Sequence, residues 1–167
     1  MGKPGGRQNL TEYARFPIET ILPLCGPASG PFTHVLPDGL TIVVKQRDMR
    51  SLRMQCFKQS TICATCGLKG RVLIMERCVG PGNYPHFNLY AYRGGNKDAL
   101  VLMTQDHVTA RCLGGKDELA NLRTMCISCN NKKGKQEARE VRRRREQSDR
   151  QHSHNARQAS NSNQGKI

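Results

Sequence analysis

Residues 106–134 read DHVTARCLGGKDELANLRTMCISCNNKKG, and this stretch decides the fold. Asp106 beside His107 at a strand end offers a hard oxygen ligand next to a nitrogen base. A side-chain oxygen at the start of the final helix can complete a metal site across from them. A divalent ion and a base held that close together supply the two requirements of phosphodiester hydrolysis. The ion acts as Lewis acid on the phosphate, and the base deprotonates water.

Working outward, Cys126-x2-Cys129 inside the stretch has a counterpart in Cys63-x2-Cys66, with 59 residues between the pairs. Each CxxC presents two thiolates from one tight turn, and two such turns make a tetrahedral S4 shell for zinc. The interval is too long for a simple zinc ribbon, so an insert lies between the pairs. A four-thiolate site is coordinatively closed, which makes this metal structural. The other four cysteines, Cys25, Cys56, Cys78 and Cys112, are unpaired in sequence and are expected as small buried or half-buried residues.

Such a staple suits the composition. Val, Ile, Leu and Phe make up 33 of 167 residues, and Trp is absent. That is a thin core for one modest domain, and it excludes a large enzyme scaffold with a deep apolar interior. No apolar run approaches the roughly 20 residues of a membrane-spanning helix. The opening residues lack the apolar stretch of a secretory signal, so the chain is expected in a cytoplasm, where disulfides do not persist. The formal net charge is +14, which points to a polyanionic partner, nucleic acid before membrane.

The remaining chain supplies hairpins and one short helix. Residues 1–30 have no clear periodicity and read as an arm, with Phe16 to Leu24 docking on the body. His34 to Lys45 reads as a hairpin turning at Leu36-Pro37-Asp38-Gly39. Asp48 is the expected N-cap of a helix from Met49 to about Gln59, whose apolar face is Met49, Leu52, Cys56 and Phe57. Arg71 to Glu76 and His86 to Tyr92 read as strands. In the second, Phe87, Leu89 and Ala91 line one face, and His86, Asn88, Tyr90 and Tyr92 the other. Gly94 to Asp98 is the expected turn into a strand from Ala99 to Thr104. A helix starts after Ser128 and runs to about Glu146. Beyond it, a tail rich in Ser, Gln and Asn is expected to be disordered. His34, His152 and His154 carry no motif, and His86 reads as a surface or hydrogen-bonded histidine. The fold class is therefore α+β. It divides into an arm (1–30), a hairpin and helix packing on the core (31–60), a metal-stapled module (61–135), and a basic helix extension with its tail (136–167).

The segment from Cys63 to Gly134 resembles the HNH (His-Me finger, ββα-metal) endonucleases, most of all the zinc-stapled bacteriophage-type members. The family pattern is Asp-His, a Gly-Gly loop, Asn-Leu, then CxxC followed by His or Asn and a Lys. Here 13 residues separate His107 from Asn121 and eight separate Asn121 from Asn130, matching the family's spacing. The resemblance implies that His107 is the general base and Asp106 a ligand of the catalytic ion. Asn121 would hold the loop and orient His107 through backbone hydrogen bonds. Asn130 stands where most members place a second histidine ligand. Its neutral oxygen suits Mg2+ or Mn2+, beside structural Zn2+ on the four thiolates.

The implied partner is DNA, with no membrane. Phage recombination or packaging proteins are compatible partners, and the host cytoplasm is the compartment if the chain is phage-encoded. From Lys132 to the end, eleven basic side chains stand against four acidic ones. Lys132, Lys133, Lys135, Arg139, Arg142 and Arg143 are the expected phosphate contacts on the final helix, positioning without reading sequence. Arg47, Arg50 and Arg53 would widen that footprint. Two other functions stay open: resolution of branched DNA in the manner of endonuclease VII, and zinc-dependent DNA binding without cleavage.

Overall fold

The computed structural model describes residues 9–163. The polar opening of the chain and its last four residues lie outside the described residues.

Among the described residues, seven strands and four α-helices follow one another. They are β1 (Leu10–Pro17), α1 (Ile18–Ile21), β2 (Phe32–Val35), β3 (Thr41–Val44), α2 (Gln46–Met49), α3 (Leu52–Gln59), β4 (Gly70–Cys78), β5 (His86–Arg93), β6 (Asn96–His107), β7 (Leu122–Cys126) and α4 (Ile127–Asn163). Five strands form one antiparallel sheet in the order β1-β4-β5-β6-β7, and β2 and β3 form a separate hairpin. The α+β class is thus met by a mixed architecture with the metal-ligating thiols at one end of the sheet.

The main core lies between one face of this sheet and the hairpin and short helices. Leu73, Met75, Phe87, Leu89 and Met103 meet Ile21, Val44, Met49, Met54 and Phe57 there. Phe16 stands edge-on to Phe32 and Phe87, with ring centroids 5.5 and 5.8 Å apart. Such edge-to-face contacts add to plain burial. Lys58 Nζ donates to the carbonyl of Cys25 at 2.8 Å, tying α3 to the turn after α1.

Several expectations need correction. Residues 10–17, expected as an arm, are an edge strand registered on β4, with a bulge between Glu12 and Ala14. The bulge breaks the two-residue alternation on which strand detection depends. The expected helix from Met49 divides in two. Ser51, and not Asp48, caps α3: its backbone is extended and its Oγ accepts from the Met54 N–H at 3.3 Å. The turn into β6 is only Gly94-Gly95, both at positive φ (57° and 78°), so the strand begins at Asn96. Two successive left-handed residues are what a tight hairpin turn demands.

Strand β5 is buried on both faces. Tyr90 joins Val72 and Ile74 in a second, smaller apolar cluster, and Asn88 is buried as well. Glu76 is fully buried, and its Oε1 accepts from Asn88 Nδ2 at 2.7 Å and from the Tyr90 hydroxyl at 2.6 Å. Arg53 extends the network, donating to Asn88 Oδ1 at 2.6 Å and to the Phe87 carbonyl at 2.7 Å. Burial pulls the Arg53 pKa below its ordinary value, against the opposing charges of Asp48 and Glu76. A half-buried cation is tolerated because each donor used finds an acceptor.

All eight cysteines are free. Cys25 and Cys56 are buried as expected, but Cys78 and Cys112 are exposed, at the end of β4 and in the loop after β6. The final helix begins at Ile127, directly after β7, and continues to Asn163, well past the expected end at Glu146. From Lys135 to Asn163 it contains neither Gly nor Pro, so nothing stops it. No helix among the described residues is long and apolar enough to cross a membrane.

Candidate functional site

The four motif cysteines come together. Cys63 and Cys66 lie in a tight turn closed by the Gly67 N–H on the Cys63 carbonyl (3.0 Å), and Gly67 takes φ +73°. Cys126 ends β7 and Cys129 occupies the first turn of α4. The Ala64 N–H donates to the Thr124 carbonyl at 2.9 Å and joins the two pairs through the backbone. All four sulfurs lie within 4.8 Å of one another. Cys66 Sγ is 3.8 Å from Cys126 Sγ. A regular tetrahedron with metal–sulfur bonds of about 2.3 Å has edges of about 3.8 Å, so this donor set fits a metal of zinc's size. Burial raises the Cys63 pKa, but N–H donors from Cys126, Cys66 and Thr65 outweigh it and bring the thiol down to about 6.

A short distance along β7 and β6 lies the Asp-His pair. Asp106 is 6% exposed and sits opposite Arg123 in the β6–β7 register. Its Oδ2 accepts from Arg123 Nε at 3.0 Å and its Oδ1 from Lys133 Nζ at 3.0 Å. Lys133 also donates to the His107 carbonyl and forms an ion pair with Glu137 at 2.7 Å. Burial works to lower the Lys133 pKa, but the bonds to Glu137 and Asp106 prevail and raise it. His107 Nε2 contacts Asp117 Oδ1.

Asn121 clamps the intervening loop. Its Oδ1 accepts from the Thr109 N–H at 2.9 Å, and its Nδ2 donates to the carbonyls of Thr109 (3.1 Å) and Lys116 (3.0 Å). The Val108 N–H donates to the Asn121 carbonyl at 2.8 Å, so backbone and side chain both grip the strand end. Gly115 makes this closure possible, because a Cβ there would lie 1.8 Å from the Thr109 carbonyl oxygen. Gly115→Ala must therefore push the loop off Asn121. We expect a loss of about 1–3 kcal/mol in stability, read as a lowered melting temperature, and displaced amide resonances for Thr109 and Lys116.

Asn130 lies in the first turn of α4 and donates from Nδ2 to Thr104 Oγ1 at 2.9 Å. Thr104 and Asp106 share one face of β6, and Asn130 and Lys133 are neighbours on one face of the helix. The helix therefore crosses the strand with Asn130 over Thr104 and Lys133 over Asp106. Among the described residues the only His/Cys/Asp/Glu cluster able to hold a metal is the thiol set. Both carboxylate oxygens of Asp106 accept from cationic side chains, and Asn130 bonds to Thr104 beside it.

The expected basic footprint is only partly free. Lys132, Lys135 and Arg139 follow one stripe of α4, are exposed, and have no ion pair among the described residues. Lys133 instead turns inward to Asp106. Arg143 is paired with Glu140 at 2.8 Å and Arg142 with Glu146 at 3.5 Å, an intrahelical pattern the charge count did not reveal. Arg53 is half-buried and taken up by the Asn88 and Phe87 acceptors, and Arg50 donates to the Ser29 carbonyl at 2.7 Å. Arg47 lies 5.5 Å from the Tyr84 ring centre, leaving that side as no continuous basic surface. His86 bonds to Tyr84 and Asn88, as a hydrogen-bonded histidine does.

Residues 95–145, which hold β6, the clamped loop, β7 and the root of α4, match the family model of the HNH endonucleases. This segment is similar to the HNH endonucleases. Neither a curated protein nor a solved structure matches the chain. The HNH module begins after Cys63 and Cys66, so half of the thiol set is contributed by sequence outside the matched segment. The match points to nuclease activity, with DNA as the implied substrate. Three contacts at its centre were not anticipated: those of Asp117, Arg123 and the inward-turned Lys133. Asp117 lies in the quoted Gly-Gly-Lys-Asp run, but only the loop's path shows that it meets His107.

Proposed function

We propose that the protein is a divalent-metal-dependent DNA endonuclease, stapled by Zn2+ on Cys63, Cys66, Cys126 and Cys129. The observation that carries this reading is the arrangement at the end of β6. A histidine and a buried carboxylate are adjacent there, beneath a helix that brings Asn130 and Lys133 to the same strand. Asp106 and Asn130 would hold Mg2+ or Mn2+, which supplies Lewis-acid polarisation of the scissile phosphate when bound. His107, at the mouth of the site with its side chain 17% exposed, takes the proton from the attacking water. Asn121 fixes the loop beside it and so limits the imidazole's freedom. Lys133 donates to Asp106 Oδ1; were that oxygen to hold an ion, its ammonium would be free to donate to a phosphate oxygen. Lys132, Lys135 and Arg139 bear on the backbone phosphates farther along the helix.

Incubation of the zinc-loaded chain with supercoiled plasmid across a series of divalent ions tests the reading. Nicking or linearisation is expected with Mg2+ or Mn2+, and none with chelator in excess. DNA retained but left intact with every ion would mark a binding protein and reject the proposal. Cleavage confined to four-way junctions would move it to the branched-DNA nucleases.

A further inference from the structure

We propose that Asp117 is the positioning residue of His107, a side-chain carboxylate that orients the base through its far nitrogen. This rests on the reading of His107 as the base. His107 Nε2 meets Asp117 Oδ1. An ionised carboxylate only accepts hydrogen bonds, so Nε2 must carry the proton. In the neutral imidazole the lone pair then lies on Nδ1, which has no hydrogen-bond partner among the described residues. The contact thus does two things at once. It fixes the rotation of the ring, and it reserves the opposite nitrogen for a proton coming from water.

The loop is built to put Asp117 there. Asn121 Nδ2 bonds to the carbonyl of Lys116, the residue just before it. The Gly115 N–H bonds to the Ala110 carbonyl at 3.0 Å, on the other side of the turn. Arg111 Nη1 lies 3.7 Å from Asp117 Oδ2 and faces the carboxylate from the third side. The Asn121 clamp thus reaches His107 through Asp117 as well, beside the Val108 N–H bond to the Asn121 carbonyl. Asp117 is 56% exposed and no buried group depends on it, so a structural role alone does not explain its place.

The full zinc-loaded chain tests this with Asp117→Ala and Asp117→Asn. Asn keeps an oxygen that can accept from Nε2–H, whereas Ala removes it. Asp117→Ala is expected to lower kcat about 10- to 100-fold, within the range a general base contributes, with KM for DNA unchanged. Asp117→Asn is expected to recover most of that loss. A downfield imidazole N–H proton resonance, assigned by its disappearance in His107→Ala, is expected in the parent chain and absent in Asp117→Ala. Melting temperatures close to the parent's would exclude unfolding as the cause. A kcat within twofold of the parent, or an undisturbed imidazole resonance in Asp117→Ala, overturns the proposal while leaving the nuclease reading intact. A parent chain that cuts no DNA with any ion overturns both.

Discussion

His107→Ala is expected to leave a folded protein that retains DNA and cuts it about 100- to 10,000-fold more slowly. The fold should survive because the contacts that secure this position belong to the backbone. The residue pairs with Leu122 across the β6–β7 ladder, and its carbonyl receives Lys133. Both persist in alanine. The imidazole, 17% exposed, has Asp117 as its one side-chain partner among the described residues. What alanine removes is the group that accepts the water proton. Plasmid nicking under single-turnover conditions, beside a melting curve and a gel-shift titration, separates chemistry from folding and binding. Equal cleavage by variant and parent would remove His107 from the mechanism.

Loss of the thiol-bound metal is expected to have the largest effect on stability. Strands β4, β5 and β6 all lie between the two cysteine pairs, so the metal closes a long loop as well as joining two turns. Without it the knuckle and the root of α4 are held by few bonds. The Ala64 N–H on Thr124, the Thr124 hydroxyl on the Ser60 carbonyl (2.6 Å), and the bonds of Asn130 and Lys133 to β6 are the main ones. Small domains have only about 5–15 kcal/mol to lose, and structural zinc contributes folding energy outright. Cys126→Ser, or a strong chelator, should therefore lower the melting temperature by at least about 10 °C, corresponding to roughly 4 kcal/mol in a chain of this size. Mass spectrometry under native conditions should find one zinc per chain in the parent and none in the variant. Unchanged melting after complete metal removal would show that the sheet stands alone.

The centre of the site was legible because its signals are local. Asp106 and His107 are adjacent, the CxxC pairs are fixed by turn geometry, and Gly114-Gly115 marks a loop whatever surrounds it. The hairpin of β2 and β3 was legible for the same reason. β1 was not, since its partner β4 lies about 60 residues away and a bulge at Tyr13 spoils its alternation. The second buried face of β5 was hidden because Asn88 and Tyr90 look like solvent-facing residues until Glu76 and Arg53 arrive to bond them. The length of α4 escaped notice because its distal half has no apolar stripe, and helix propensity without a breaker carries it. The pairings of Lys133 and Asp117 depend on how a helix crosses a strand and how a loop folds back. Neither can be counted along a chain.

The direct passage from β7 into α4, with no residue between Cys126 and Ile127, makes the helix a lever mounted on the thiol cluster. At 1.5 Å per residue its 37 residues extend about 55 Å from that mounting. A tilt of roughly 10° at the root would shift Asn130 by only about 1 Å, yet swing the far end through roughly 10 Å. The groups that must be placed most accurately therefore sit beside the fulcrum. The solvent-facing positive charges ride on the arm, where long-range attraction to a polyanion tolerates displacement. One metal site can in this way serve two tolerances in a single helix.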